Sequence, residues 1–165
     1  MIEAAPGLCE AVPGLQIWHQ TGLAMCDQVK SSYDAAGMDS DALRVSAFIE
    51  DMAEAYRWCD VALCRAGATS LAELAVVGCP AILVPFPHAA DNHQEHNARS
   101  LVEPGGARLL LERDLAPVSL REHVGGLLTD REAVAEMSRR MRDAGHPDAG
   151  PRVLAELVQL SSGGR

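Results

Sequence analysis

The chain has 165 residues, of which 48% are hydrophobic and 4% aromatic, and its formal net charge is −9 at pH 7. This length and apolar content suit one globular domain and exclude a largely disordered chain. The negative charge and the shortage of aromatic rings argue against nucleic acid or an anionic membrane patch as a direct partner. A small anion stays compatible with the charge, because backbone N–H groups can bind it locally.

The cysteines are odd in number and form no Cys-x-x-Cys pair, which predicts reduced thiols packed as small apolar residues. They are Cys9, Cys26, Cys59, Cys64 and Cys79. Apolar stretches end well short of the roughly 18–20 residues that a membrane span needs. The first residues lack the basic and then apolar pattern of a signal peptide. We therefore expect a cytoplasmic chain.

Short apolar runs alternate with helical patterns through the first two thirds of the chain. The runs typical of buried strands are residues 15–18, 44–48, 61–64, 81–84 and 108–111. The helical patterns between them cover residues 25–36, 51–58, 70–77 and 93–102. This alternation predicts an α/β protein with a Rossmann-like parallel sheet, and right-handed crossovers place helices on both faces of that sheet.

The last third carries helical patterns without a further strand, at residues 120–128, 131–142 and 152–160. Pro151 suits a first helical turn, and Leu154, Leu157 and Val158 form one apolar face. We expect residues 161–165 to be a frayed tail, which leaves residues 1–160 as one domain.

The beginning of the chain differs from the usual start of an open parallel sheet. Residues 2–9 have the character of the end of a helix, with no strand before them. Because such sheets normally begin with a strand, we expect the chain to be part of a longer protein whose first strand precedes residue 2.

The segment after the third predicted strand has a composition suited to a diphosphate. It is Cys64-Arg65-Ala66-Gly67-Ala68-Thr69-Ser70-Leu71-Ala72-Glu73. Small residues let the backbone approach a ligand, and free N–H groups at a positive helix start bind phosphate. Glu73, one turn into the helix, can accept two hydrogen bonds from a ribose diol. Ser70 and Glu73 also match a capping box, and the pattern alone leaves both interpretations open.

A second polar segment follows the fourth predicted strand. It comprises Val84-Pro85-Phe86-Pro87-His88 and Asp91-Asn92-His93-Gln94-Glu95-His96-Asn97-Ala98. Gln94 offers donors and acceptors that suit sugar hydroxyls. A solvated helix start capped by Asp91 or Asn92 is the alternative. The histidines of this segment leave a metal site open, but no zinc motif is present and we predict no metal.

Two further segments end the first and second predicted strands, His19-Gln20-Thr21-Gly22 and Phe48-Ile49-Glu50-Asp51-Met52. The first can line a ligand crevice or form a turn that requires Gly22. In the second, backbone groups near Ile49 can contact a base edge, or the segment can be a hydrophobic staple beside an acidic helix start. Because ligands of open α/β sheets bind at the carboxyl ends of strands, we expect all four segments to converge on one crevice.

Taken in order, these segments resemble the C-terminal domain of the MurG family, and the resemblance extends to Pro147-Asp148-Ala149. That family transfers N-acetylglucosamine (GlcNAc) from UDP-GlcNAc to undecaprenyl-diphosphate-MurNAc-pentapeptide, converting lipid I to lipid II in peptidoglycan synthesis. The resemblance implies the C-terminal half of a B-type glycosyltransferase fold, in which two Rossmann-like domains face a cleft. It implies an inverting reaction without a cofactor or metal, in which the helix start stabilises the charge of the departing UDP.

The resemblance also implies roles for individual residues. The backbone of Ile49 would contact uracil, and Glu73 would hold the ribose hydroxyls. Ala68 and Thr69 would meet the diphosphate. Gln94, with His93, would contact the GlcNAc hydroxyls. Further residues expected at the crevice are His19, Gln20, Gly67, Ser70, His88 and Asn97.

The acceptor site, the general base and a membrane-facing patch belong to the family's N-terminal domain. We therefore expect this chain alone to bind the donor weakly and to transfer little sugar, while the full-length enzyme lies on the inner face of the cell membrane. Other interpretations stay open: another B-type glycosyltransferase, a nucleotide-sugar-binding subunit without catalysis of its own, and a zinc-binding α/β domain.

Overall fold

The computed structural model describes residues 1–162, and its strands form two parallel ladders. One ladder pairs β1 with β2, and the other has the order β3-β4-β5. The strands are β1 Ile17–Gln20, β2 Leu43–Ser46, β3 Ala62–Cys64, β4 Ala81–Leu83 and β5 Ala107–Leu109. Every pair is parallel, which confirms the predicted α/β architecture.

The sequence predicted a single sheet. In the structure β1 and β2 form one ladder, and β3, β4 and β5 form the other. Within residues 1–162 no strand pair joins the two ladders. A strand pattern is local, whereas pairing requires two backbones to lie about 4.8 Å apart, and this distance depends on how the helices pack. The sequence pattern therefore predicts the strands but not their division.

Helices connect the strands and fill the last third of the chain. They are α1 Ala5–Ala11, α2 Cys26–Ala35, α3 Met52–Trp58, α4 Ala68–Val77, α5 His93–Val102, α6 Pro117–Leu120, α7 Gly126–Leu128, α8 Arg131–Asp143 and α9 Ala149–Ser162. A π-helical turn at Arg121–Gly125 joins α6 to α7, so the predicted helix 120–128 is part of one run over residues 117–128. Of the predicted frayed tail, residues 161–162 continue α9, and residues 163–165 lie outside the described part.

The second ladder has helices on both faces, as predicted. Leu83 of β4 packs in a core with residues of α4, α5 and α8. Its neighbours Ile82 and Val84 face the opposite core, which includes Leu8 of α1 and residues of the 117–128 run. This alternation follows from strand geometry, since successive side chains point to opposite faces.

The first ladder has a smaller core of its own. Val29 and Tyr33 of α2 pack against Ile17 and Val45 of the β1–β2 ladder. Ala5 of α1 joins this core, while Leu8 of the same helix belongs to the core of the second ladder. Helix α1 therefore packs against both ladders.

The predicted apolar face of α9 is present but lies on the surface. Leu154 and Leu157 are 63% and 58% exposed, and Val158 is 55% exposed. Pro151 lies in the first turn, as predicted. Among residues 1–162, no helix combines the length and the apolar content that crossing a bilayer requires.

Candidate functional site

Helix α4 begins directly after β3 without a side-chain cap. Its N-cap is Gly67, with φ −70° and ψ 138°, and the first helical residue is Ala68. Leu71 donates the first helical hydrogen bond, to the carbonyl of Gly67 at 3.0 Å. The N–H groups of Ala68 and Thr69 precede that bond at an exposed helix start, where orphan donors can meet an anion.

The capping-box interpretation of Ser70 and Glu73 is wrong. Ser70 lies inside the helix because Gly67 takes the N-cap position. The Glu73 carboxylate instead accepts a hydrogen bond from the Tyr56 hydroxyl of α3, at 2.8 Å from Oε2. Burial and this hydrogen bond raise the pKa of Tyr56 well above its ordinary value, so the hydroxyl stays a donor. Glu73 is therefore exposed but held in place from a second helix.

Gln20 and Ile49 lie together at the carboxyl ends of β1 and β2. The Ile49 N–H donates to Gln20 Oε1 at 3.0 Å. The two strand ends are also joined by the Gly22 N–H, which donates to the Ala47 carbonyl at 2.9 Å. Gly22 has φ 79°, so the turn does require glycine there. The His19-Gln20-Thr21-Gly22 segment therefore forms the predicted turn, and its Gln20 contacts Ile49; its role in lining a ligand crevice stays a prediction.

Gln94 and Asn97 connect the start of α5 to the two neighbouring loops. Gln94 Oε1 accepts a hydrogen bond from the Phe86 N–H at 3.0 Å. Asn97 Nδ2 donates to the Ala66 carbonyl at 3.3 Å. The loops that follow β3 and β4 are therefore both hydrogen-bonded to α5. These hydrogen bonds bring Gly67, Gln94 and Asn97 to the same edge of the second ladder.

The loop before α5 has an unusual backbone. Asp91 and Asn92 have φ values of 48° and 57°, in the left-handed region that non-glycine residues seldom occupy. Asn92 takes the N-cap position of α5, but neither residue caps the helix through its side chain. Asn92 Nδ2 donates instead to Glu95 at 3.4 Å, so Asn92 is the predicted N-cap residue but does not cap the helix through its side chain. His93 Nδ1 lies 2.7 Å from the Ala90 carbonyl, which holds its ring beside the loop.

His19 does not share the environment of Gln20. Adjacent residues of a strand point to opposite faces, and the His19 ring lies 3.0 Å from the Tyr33 hydroxyl of α2. It lines a small cavity together with Met1, Ile2 and Pro117. The structure therefore separates His19 from the other predicted residues.

The histidines of the second polar segment do not form a metal site. His88 is exposed and its ring contacts Phe86 edge-on, with centroids 5.5 Å apart. Across residues 1–162, no group of three or more histidine, cysteine, aspartate or glutamate side chains lies close enough to hold a metal ion. The metal alternative has no support in the described residues.

Arg65 is a candidate that the sequence left without a role. Its guanidinium pairs with Glu112 and donates to the carbonyls of Val84 and Pro85 at 3.3 Å. It also lies 5.5 Å from the centroid of the Phe86 ring. A cation two residues before Gly67 suits an anionic ligand at the start of α4. The sequence could have indicated Arg65 as a site residue, because it lies within the same motif.

Ala68, Thr69 and Glu73 of the candidate site are exposed to solvent. A cleft of about 640 Å³ lies elsewhere, lined by residues that directly precede β3 and β4, among them Asp60 and Pro80. It is therefore at the amino ends of these strands, whereas ligands of open α/β sheets bind at the carboxyl ends.

A parallel α/β unit with helices on both faces and polar loops at the carboxyl ends of its strands has a Rossmann-like architecture. The profile of the family described as glycosyltransferase family 28 C-terminal domain matches residues 1–153. The chain belongs to this family.

Curated relatives carry the name UDP-N-acetylglucosamine–N-acetylmuramyl-(pentapeptide) pyrophosphoryl-undecaprenol N-acetylglucosamine transferase. The protein of Nitratidesulfovibrio vulgaris (strain DP4) is 46% identical over 160 residues, which are 97% of this chain and 43% of the relative. That of Shewanella oneidensis is 45% identical over 150 residues, 91% of this chain and 41% of the relative. The chain thus spans less than half the length of these relatives.

Solved structures agree with this assignment. The crystal structure of Acinetobacter baumannii MurG superposes with a TM-score of 0.77 at 32% identity, covering 95% of this chain and 48% of that one. The glycosyltransferase VinC in complex with dTDP gives 0.71 at 19% identity, covering 95% of this chain and 37% of that one, which shows the fold alone. The fold is that of the C-terminal half of a B-type glycosyltransferase, as the resemblance implied.

Proposed function

We propose that this chain binds UDP-GlcNAc and supplies the donor-binding half of a GlcNAc transferase. Its acceptor would be undecaprenyl-diphosphate-MurNAc-pentapeptide, the lipid I that becomes lipid II in peptidoglycan synthesis. In this proposal residues 1–160 are the donor-binding domain. The acceptor and the membrane contacts lie outside this chain, and the whole transferase is peripheral to the inner face of the cell membrane.

One observation carries the proposal: an exposed carboxylate is held beside an uncapped helix start. Glu73 lies one turn after Ala68 and Thr69 in α4, and Tyr56 occupies one of its oxygens. The free N–H groups of the helix start would bind the diphosphate, and the second oxygen of Glu73 would accept from the ribose. A nucleoside diphosphate presents both groups at this spacing.

The remaining contacts of the donor follow from the other strand ends. The base would lie against the Ile49 backbone, whose N–H is now held by Gln20 and whose carbonyl can accept from uracil. The sugar would lie near Gln94 and His93 at the start of α5. Gln94 uses its Oε1 on the Phe86 N–H, which leaves its amide N–H groups to donate to hydroxyls.

The same arrangement favours departure of UDP during transfer. When the acceptor hydroxyl attacks the anomeric carbon, the bond to UDP breaks and negative charge grows on the diphosphate. The positive end of α4 would stabilise that charge in the transition state, and the Arg65 guanidinium, two residues before the N-cap of α4, would add to this effect. A base that takes the hydroxyl proton completes the reaction.

Titration calorimetry of UDP-GlcNAc into the native chain and Glu73→Ala tests the proposal. We expect the substitution to weaken binding by about 2 kcal/mol, roughly thirty-fold, because the ribose hydroxyls lose a charged acceptor. Glu132→Ala is the matched control, since Glu132 is an exposed glutamate in the first turn of α8. Circular dichroism checks that both variants fold.

Unchanged affinity in the folded Glu73→Ala variant would refute the ribose role. Parallel titrations with UDP-glucose and dTDP-glucose test the sugar and the base. Tighter binding of either compound than of UDP-GlcNAc would assign the chain to a different B-type glycosyltransferase.

A further inference from the structure

We propose that Cys59 and Cys79 form a reversible disulfide, made by exchange with a small anionic disulfide in the cleft at the amino ends of β3 and β4. Their Sγ atoms lie 3.2 Å apart, although the residues are 20 positions apart in the chain. A disulfide bond is about 2.05 Å long, so the sulfurs need to approach by only about 1 Å. Both are free thiols in this structure.

The position of each cysteine is set by the fold. Cys59 is the C-cap of α3, and Cys79 follows Gly78, the left-handed C-cap of α4. The Cys79 N–H donates to the Leu74 carbonyl at 3.0 Å, which fixes the turn between α4 and β4. Two helix ends thus bring the thiols together, and a bond between them would link the end of α3 to the start of β4.

The cleft gives solvent access to this pair. It has a volume of about 640 Å³ and both cysteines line it. Cys59 is half-buried, whereas Cys79 is only 4% exposed. A reagent in the cleft therefore meets Cys59 first, and Cys79 is placed to react with the product.

The charge of the lining selects the reagent. Arg57, Arg131 and Arg142 line the cleft, against the single acidic group Asp60. Clustered cations raise the local concentration of anions. Glutathione disulfide, which carries net negative charge at neutral pH, is the class of molecule that fits.

Exchange requires Cys59 to attack first as a thiolate while Cys79 stays protonated, and the two pKa shifts have these directions. A hydrogen bond from Cys79 lowers the pKa of Cys59, which favours its thiolate. The same hydrogen bond raises the pKa of Cys79, so it stays protonated as the donor. Burial raises the pKa of the neighbouring Cys64 to about 11, which keeps that thiol unreactive.

The reaction balances in two steps. The Cys59 thiolate attacks one sulfur of glutathione disulfide, the S–S bond breaks and one glutathione thiolate leaves. Cys59 then bears no charge, which removes the strongest of the interactions that held the Cys79 proton. Cys79 releases that proton to solvent, attacks the Cys59 sulfur and displaces the second glutathione. Two protein thiols are oxidised and one glutathione disulfide is reduced to two thiols.

The test exposes the native chain to glutathione disulfide and maps its peptides by mass spectrometry without reduction. The expected product is a Cys59–Cys79 linked peptide that dithiothreitol reverses. The oxidised protein should also melt at a higher temperature, because the bond restricts the unfolded chain. Absence of the linked peptide, or a link to Cys64 in its place, would overturn the proposal. This outcome is independent of UDP-GlcNAc binding.

Matched variants separate the two roles. Cys79→Ser should stop at a stable mixed disulfide on Cys59, and Cys59→Ser should leave Cys79 unmodified because it is buried. Cys64→Ser should form the native link at the native rate. Failure of Cys79→Ser, folded by circular dichroism, to retain glutathione on Cys59 would contradict the order of attack.

A separate experiment tests whether the arginines of the cleft select the reagent by its charge. Cystamine is a small cationic disulfide. Its rate of thiol–disulfide exchange with the native chain is compared with the rate for glutathione disulfide. Each rate is divided by the rate with the urea-unfolded chain, which removes intrinsic differences in reactivity. We expect about a ten-fold preference for glutathione disulfide. Equal normalised rates would refute selection by charge.

Discussion

Gly67 lies at the start of α4 in a backbone conformation open to any residue, with φ −70° and ψ 138°. A Cβ built there would meet only the Ser70 Oγ, at 4.0 Å. Gly78 at the other end of the helix differs, since its φ is 72° and a Cβ there would clash with the Arg142 side chain. The fold therefore explains glycine at position 78 but not at position 67, where we propose that a ligand approaches the backbone closely.

Gly67→Ala should weaken UDP-GlcNAc binding by about ten-fold or more, because the added methyl group would meet the diphosphate. The free energy of unfolding should change by less than about 1 kcal/mol. Loss of the glycine N-cap destabilises the helix, but alanine makes the unfolded chain less flexible, and the two effects offset each other. Calorimetry and urea unfolding measure the two effects. Gly126→Ala is the control, because a Cβ there meets nothing within 4 Å. If Gly67→Ala bound UDP-GlcNAc with native affinity, the diphosphate would not bind at the start of α4.

Helix starts in this chain are of two kinds. Asp51 and Asp130 cap α3 and α8, each accepting a backbone hydrogen bond at 2.9 Å. Helix α4 has no such cap, and its first N–H groups face outward at the proposed diphosphate site. Side-chain caps satisfy backbone donors at α3 and α8. Helix α4 lacks such a cap, as do α1, α2 and α5, and its free donors are those that we propose bind the diphosphate.

Asp130→Ala should lower the free energy of unfolding by about 1 kcal/mol, because the Ala133 N–H loses its acceptor. Affinity for UDP-GlcNAc should not change. Urea unfolding gives the first quantity and calorimetry the second. Asp143→Ala, at the other end of α8, should cost nothing, since a negative charge near a helix carboxyl end is unfavourable. A loss of stability equal in both variants would contradict the capping role.

The molecule as a whole is joined by helices rather than by one sheet. Helix α1 contributes Ala5 to the core of the first ladder and Leu8 to that of the second. His19 on β1 adds a polar contact inside the first ladder's layer, with its ring against Tyr33 of α2. Burial lowers the pKa of His19 and raises that of Tyr33 to about 12, so both groups stay neutral near pH 7.

The half-buried His19 makes global stability sensitive to acid. Because its pKa is lowered in the folded state, the unfolded chain takes up the proton first as the pH falls below about 6.5. The free energy of unfolding should therefore fall from about pH 7.5 to about pH 5.5, and more steeply in the native chain than in His19→Gln. Urea unfolding at several pH values gives both slopes. Parallel slopes in the two proteins would show that this histidine does not titrate on unfolding.

Local patterns in the sequence predicted most elements of the fold. The bounds of α5 agree with the predicted helix 93–102, and the strands lie within a few residues of the predicted runs. Helix α4 begins two residues earlier than predicted, at Ala68, because Gly67 supplies the N-cap without a side chain. Helix α9 continues two residues beyond the predicted helix 152–160, through Ser162.

The sequence by itself determined the α/β class, the order of elements and the family, because periodicity and ordered motifs are properties of neighbouring residues. Tertiary structure alone decided that Glu73 bonds Tyr56 instead of capping its helix, and that His19 and Gln20 face different surroundings. It also divided the strands into two ladders and set two distant thiols 3.2 Å apart. The reason is physical: these contacts join residues many positions apart, and their energies depend on helix and strand packing that no local pattern encodes.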